Sequence, residues 1–423
     1  MNLLLYRRFL STLVLLVVVL DVAVPQAAGQ PTPAPVLWAR AWPMVGHDPQ
    51  RTARSASVGP LRPHLLWSYR GLQGPPLVGP DGSVYSWGRG GLIALTAAGQ
   101  HRWTVPAEEF FGGPPALGSD GLVRVSGELP GPSGTFPPHN VPHIAIFALS
   151  ATGRRLWTIR SLPWASVPQS VPFSKGEAPL VTAANVLYVP FVGPVYRPGA
   201  NNGVEVIAPT GVPLRRLLAG WSGPLAVARD GTVYEIGGDS QGHTAVLASR
   251  TDGVLWWRRP VAYNQWGNVL VGRHGTVYVS AGMGLGQTDA GEITAYSVSG
   301  FLRWRLRTAG VAALAERADG TVLAADGSGV SALSSRARRL WHRALGRPPT
   351  TPYSSRSIAV DALGRAYVGS ADGLVRAIAP DGAVLWTLRA GGPTNLGATP
   401  SVALGPQGTL VVAGTDGHLR VYR

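Results

Sequence analysis

The chain has 423 residues, of which 45% are hydrophobic and only 14% charged, with 55 glycines and 37 prolines. This balance suits many short strands joined by tight turns and leaves little material for amphipathic helices, so an all-β chain is expected. It has no cysteine, which excludes disulfides, a lipid-modified cysteine, haem attachment through C-x-x-C-H and zinc sites that need thiolates.

The net charge of +15 comes almost wholly from arginine, with Lys175 the sole lysine. The arginines stand singly or in adjacent pairs along the chain and form no basic run of the kind that marks a nucleic-acid partner. The expectation is a solvated surface with loose attraction to polyanions or a cell surface, and no nucleic acid as partner.

Residues 1–29 open with Arg7 and Arg8, continue with an apolar run from Leu13 to Leu20, and end in Ala27, Ala28 and Gly29. This reads as a signal peptide cleaved after Gly29, because the apolar run is shorter than the ~20 residues of a spanning helix. Export to the periplasm or exterior is expected, with no membrane span in the mature chain. Residues 30–60 read as a lead-in.

From residue 61 to 423 a unit recurs: an apolar stretch, an Asp-Gly-like turn, a Val-Tyr strand, a second apolar strand, then Gly and a closing Trp. Gly231, Gly275, Gly320, Gly364 and Gly408 occupy the same turn at spacings of 44 or 45 residues, a period that marks propeller blades. Earlier copies are looser, at Asp81-Gly82, Asp120-Gly121 and Asn185-Val186, where Asn185 stands in for glycine because it tolerates the positive φ of hairpin turns. The closing pairs include Gly99 with Trp103, Gly153 with Trp157, Gly253 with Trp257, Gly300 with Trp304 and Gly382 with Trp386. A large ring at a fixed place in each unit is expected to pack between neighbouring blades. Two units depart: Gly211 is followed by no tryptophan, and Trp341 lacks the upstream glycine, so blades three and six are expected to be irregular. Eight units start, and the eighth stops at Tyr422-Arg423 before its closing strand. Leu65-Leu66-Trp67-Ser68-Tyr69 supplies such a strand. The expected fold is therefore an eight-bladed β-propeller of four-stranded antiparallel blades closed by an N-terminal strand, which hides the sheet edges.

These units resemble the PQQ-type (quinoprotein-like) propeller repeat from about Trp42 to the end of the chain. The segment Trp42-Pro43-Met44-Val45-Gly46-His47-Asp48-Pro49, with Arg51 and Thr52, resembles the lead-in of exported bacterial members. The resemblance implies one of two roles. The superfamily holds dehydrogenases that bind pyrroloquinoline quinone (PQQ) with calcium, and non-enzymatic propellers such as the lipoprotein of the outer-membrane β-barrel assembly machinery.

A calcium site needs several oxygen ligands and a dehydrogenase needs a carboxylate base. Of 14 aspartates, nine sit in Asp-Gly turns and Asp21 lies in the signal segment, leaving Asp48, Asp239, Asp289 and Asp361 with eight scattered glutamates. No catalytic residue, metal site or cofactor is therefore expected, with PQQ and calcium as the alternative. Gly238-Asp239-Ser240-Gln241-Gly242 fits G-x-S-x-G, but it joins two strands, whereas a nucleophile elbow requires a strand-to-helix turn. The nine histidines show no metal-ligand spacing.

Long insertions at 128–141, 191–202 and 281–291, and linkers at 160–179 and 347–356, should all emerge on one rim, because consecutive strands are antiparallel. That rim carries the candidate partner-binding residues Trp164, Tyr196, Arg197, Trp266, Tyr353 and Arg356. The expected function is an exported, monomeric binding or scaffolding propeller whose partner is a protein or cell-envelope component. The alternatives are a PQQ-dependent oxidoreductase and a carbohydrate-binding surface module.

Overall fold

Each sequence unit folds into one antiparallel sheet, and eight such sheets follow one another around a ring. The computed structural model describes residues 36–107, 111–112, 114–129, 143–160, 179–191, 202–219, 221–238, 243–261, 266–282, 290–345, 357–394 and 398–423. Residues 34–423 form one compact unit; the signal-peptide reading of 1–29 lies outside the described residues. Blade one runs from Leu77 to Pro106 and blade seven from Ile358 to Arg389. In blade two the first strand is split into Phe111–Gly112 and Ala116–Leu117, both paired with Val123–Leu129.

Burial runs outward along each blade. First strands such as Ala313–Glu316 and Ile358–Val360 are buried at every position, whereas fourth strands such as Leu65–Arg70 and Val384–Arg389 alternate exposed and half-buried residues. The first strands therefore line the centre and the fourth strands form the circumference. Blade eight takes three strands from the C-terminus and its fourth from Leu65–Arg70, in register from Leu65 opposite Tyr422 to Arg70 opposite His418. Ring closure is thus as the sequence predicts, and every blade is anchored on both sides.

The turn chemistry follows the repeat. Gly231, Gly275, Gly320, Gly364 and Gly408 all have φ between 73° and 85°, and Asn185 holds the same conformation at φ 59°. The expected tryptophan joints are also present. Trp103 Nε1 donates to Ala151 O of blade two at 2.9 Å, Trp257 Nε1 to Val298 O of blade five at 2.8 Å, and Trp341 Nε1 to Pro380 O of blade seven at 2.7 Å. The closing glycine lies over the preceding indole: a Cβ on Gly300 would sit 2.7 Å from Trp257, and one on Gly382 2.8 Å from Trp341. Where the eighth blade has no such turn, Trp386 Nε1 donates to Pro60 O of the lead-in at 3.2 Å.

Blade six is regular despite its missing glycine, because Ala337 adopts the left-handed turn at φ 60° and Trp304 Nε1 still donates to Ser335 O at 2.9 Å. Blade three does depart: Arg215 stands where the tryptophan would be, and the Gly253 turn rests against Leu217. A left-handed alanine costs about 1–2 kcal/mol, part of which glycine would forfeit through its looser unfolded chain. Ala337→Gly is accordingly expected to stabilise the ring by about 0.5–1 kcal/mol, read as a higher urea midpoint at unchanged slope. A lower midpoint would show that the alanine methyl packs better than its backbone strains.

Candidate functional site

The two faces of the ring are unequal. First strands run toward one face, where the tight first-to-second and third-to-fourth turns lie, and second strands run back to the other. The connections after Leu129, Phe191 and Gly282, and the linkers after Arg160 and Arg343, all leave from this second face. Elsewhere it is short: Gly88 pairs directly with Gly91, and Asp326 with Gly329. Of the candidate rim residues, Trp266 opens the first strand of blade five opposite Gly282, at the loop-bearing end. Trp164, Tyr196, Arg197, Tyr353 and Arg356 lie outside the described residues.

The turn face is crossed by the lead-in, which meets the ends of successive first strands. Trp42 exchanges backbone hydrogen bonds with Val78 of blade one, Pro43 O accepts from Leu117 N of blade two, and Met44 lies in one buried cluster with Leu180 and Val181 of blade three. Pro49 O then accepts from Val227 N of blade four, Gln50 O from Val271 N of blade five, Thr52 O from Glu316 N of blade six and Ala53 O from Val360 N of blade seven. A single segment thus stitches seven blades. To follow the curve, His47, Arg51 and Ala53 take positive φ of 74°, 61° and 52°, a strain that only a closely determining surround maintains. Sequence reasoning placed the lead-in before the closing strand but missed this path, since its partners are scattered along nearly the whole chain.

Polar side chains fix the path. Asp48 accepts from the Thr52 amide at 2.9 Å and from the Thr52 hydroxyl, and pairs with His47 at 3.4 Å. Burial works to raise the Asp48 pKa, but the hydrogen bonds from His47 and Thr52 and the His47 charge prevail and hold it below the usual carboxylate range. Glu316 accepts from the Arg273 amide at 2.9 Å and lies 3.6 Å from the Arg54 guanidinium; here burial prevails and the pKa is raised. At the far end Asp361, fully buried, accepts from the amides of Arg365, Leu363 and Gly59, from the Arg365 guanidinium at 2.6 Å and from the Tyr367 hydroxyl at 3.1 Å. Arg365 in turn donates to Gly59 O at 2.6 Å.

The turn aspartates are occupied as the sequence predicts. Asp81, Asp230, Asp319, Asp381 and the rest each accept from the amide two residues on, at 2.8–3.1 Å. A quinone with its calcium would need several carboxylate oxygens facing one point. Among the described residues no three His, Cys, Asp or Glu side chains come together in that way, and Asp48, Asp361 and Glu316 commit their oxygens to protein donors. These residues do not fit such a group. Gly238 ends one strand and Thr244 begins the next, so the G-x-S-x-G stretch connects strand to strand, its residues 239–242 lying outside the described residues.

A family model described as outer membrane protein assembly factor BamB matches residues 240–423. No curated protein matches the chain. Among solved structures, BamB from Moraxella catarrhalis is similar at 17% identity and a TM-score of 0.54, covering 85% of this chain and 97% of that one. The Dos1 propeller is similar at 10% identity and a TM-score of 0.57, covering 85% of this chain and 95% of that one. Identities this low speak to the fold. The chain is an eight-bladed β-propeller whose residues 240–423 resemble BamB in their repeat and whose ring is similar to that of BamB.

Proposed function

We propose that the chain is an exported recognition scaffold that holds a protein partner on its loop-rich face. The observation that carries this reading is the asymmetry of the ring. The lead-in ties down the turn face through hydrogen bonds to successive blades, while every long connection leaves from the opposite face, and loops on a rigid frame are where binding residues concentrate. Three further points support it. Among the described residues the nine Asp-Gly aspartates are occupied in their own turns, and Asp48 and Asp361 hold the lead-in. The family model that matches residues 240–423 is named for an assembly factor. Residues 1–29 carry the pattern of a signal peptide, so that the mature chain comprises the lead-in to residue 60 and the propeller of 61–423, in the periplasm or outside the cell.

The test pairs two measurements. A photo-crosslinking residue placed at Tyr196 or Tyr353 in cells should capture a discrete protein, whereas one at His274 on the turn face should not. Capture equal from both faces, or from neither, would remove the assignment to this rim. Titrating the purified mature protein with PQQ and calcium, with dye-linked oxidation of alcohols and sugars as readout, should give no turnover. Saturable binding with turnover would replace the scaffold by an oxidoreductase.

A further inference from the structure

The arginines gather on the circumference. Each of the eight fourth strands carries between one and three of them, fourteen in all, and none carries an aspartate or glutamate. Of the thirteen with described side chains, twelve are exposed and Arg259 is half-buried. Among the described residues the other strands hold only Arg124, Arg376 and Arg420, each ion-paired with the turn aspartate four residues earlier. Against the fourteen, the third strands offer two carboxylates, Glu205 at 2.8 Å from Arg216 and Glu292 at 3.8 Å from Arg305, and the turn aspartate Asp81 lies 3.7 Å from Arg102. An unbalanced positive belt therefore runs along the outer edge.

The belt goes all the way round. No fourth strand lacks an arginine, and those of blades two to eight each expose at least one leucine, between 40% and 54% exposed, from Leu66 of the closing strand to Leu385 of blade seven. Both features recur with the repeat and favour no side of the ring. The indoles of these strands are instead turned into the blade joints, where they donate to the next turn. Phe301 is the one aromatic among the exposed large apolar side chains of the described residues.

Charge on an edge strand guards against edge-to-edge pairing. A guard works with either sign, however, and none of the chain's 22 acidic residues stands on a fourth strand. The uniform sign calls for an anionic occupant, and the closed belt for one that follows a curve. A flat surface or a globular partner meets one side only, and a second copy brings like charge to like. Duplex nucleic acid, with a persistence length of about 50 nm, resists bending round a single domain, and a single strand binds by stacking its bases on aromatic rings, of which this edge offers no row. A chain of phosphates would answer the guanidinium groups but leave the leucines in water. Sugar rings present C–H faces between their charged groups and meet both. We propose that the circumference binds an anionic polysaccharide laid along the belt. Contact there leaves the loop-rich face open, so this surface does not depend on the partner proposed for that face.

The experiment is a titration of fluorescently labelled heparin, a sulfated polysaccharide, with the mature protein at about 0.15 M salt, read by anisotropy. Saturable binding is expected. Each arginine contact to a linear polyanion contributes about a fivefold factor at this salt through the counterions it releases. Arg215→Gln with Arg307→Gln, on blades three and five, should therefore weaken binding roughly 25-fold. Arg70→Gln with Arg389→Gln, on blades eight and seven, should weaken it by a similar factor. Arg89→Gln with Arg229→Gln removes the same charge from exposed hairpin turns off the belt and should leave binding like that of the parent protein. Melting curves like the parent's establish that each variant is folded. Absence of saturable binding overturns the proposal. Equal weakening by the Arg89 and Arg229 pair marks net charge in place of a belt, and weakening by one belt pair alone marks a one-sided site; either result removes it. Long-chain polyphosphate that displaces heparin at equal charge concentration overturns the assignment to a polysaccharide.

Discussion

Replacing Asp361 by alanine is expected to cost about 3–5 kcal/mol, the range seen when one partner of a buried ion pair is removed. Asp361 is fully buried and gathers three backbone amides, the Arg365 guanidinium and the Tyr367 hydroxyl. Its loss strands an arginine side chain that is only 8% exposed. Most of the cost arises there, since an unpaired buried charge forfeits its hydration without return. Two of the bonds cross from blade seven to Gly59, through its amide and its carbonyl, so the damage should spread to the lead-in. Urea unfolding measures the total, and amide exchange around Gly59 reports the local release. Asp361→Asn, which keeps the shape but not the charge, should lie between the parent and the alanine variant. A loss of less than about 1 kcal/mol, the net worth of one ordinary hydrogen bond, would mean that the lead-in is held elsewhere.

Above pH 10 the ring is expected to unfold cooperatively. Burial raises the phenol pKa of Tyr85, Tyr188, Tyr234, Tyr278, Tyr296, Tyr367 and Tyr422, in Tyr234 to about 12, and the Asp361 charge adds to the effect at Tyr367. The unfolded chain ionises these phenols near their ordinary value of about 10 while the folded chain does not, so it binds fewer protons and stability falls as pH rises. Each such tyrosine removes up to about 1.4 kcal/mol per pH unit over that window. Several acting together work against the roughly 5–15 kcal/mol of a folded domain. Phenolate absorbance and tryptophan fluorescence should therefore change in a single coincident step. Independent titration of the phenols near pH 10, with the fluorescence unchanged, would show that these side chains reach water without unfolding.

The blade repeat was legible because it depends on local chemistry. A hairpin turn demands positive φ, which selects the glycines from Gly231 to Gly408 and Asn185, and an Asp before the turn glycine caps its own turn. The closing strand Leu65–Arg70 could be assigned because the count of strands left one vacancy at the other end of the chain. The left-handed turn at Ala337 was not legible, since the ring around it imposes a conformation that alanine alone would avoid. Nor was the path of the lead-in, whose partners are ends of first strands that resemble one another. Asp361 looked free for chemistry and is instead a structural knot. Turns, blade period and strand count were determined by the sequence by itself, because each depends on residues a few positions apart. Contacts between residues a blade or more apart were decided by ring closure, which alone sets those distances.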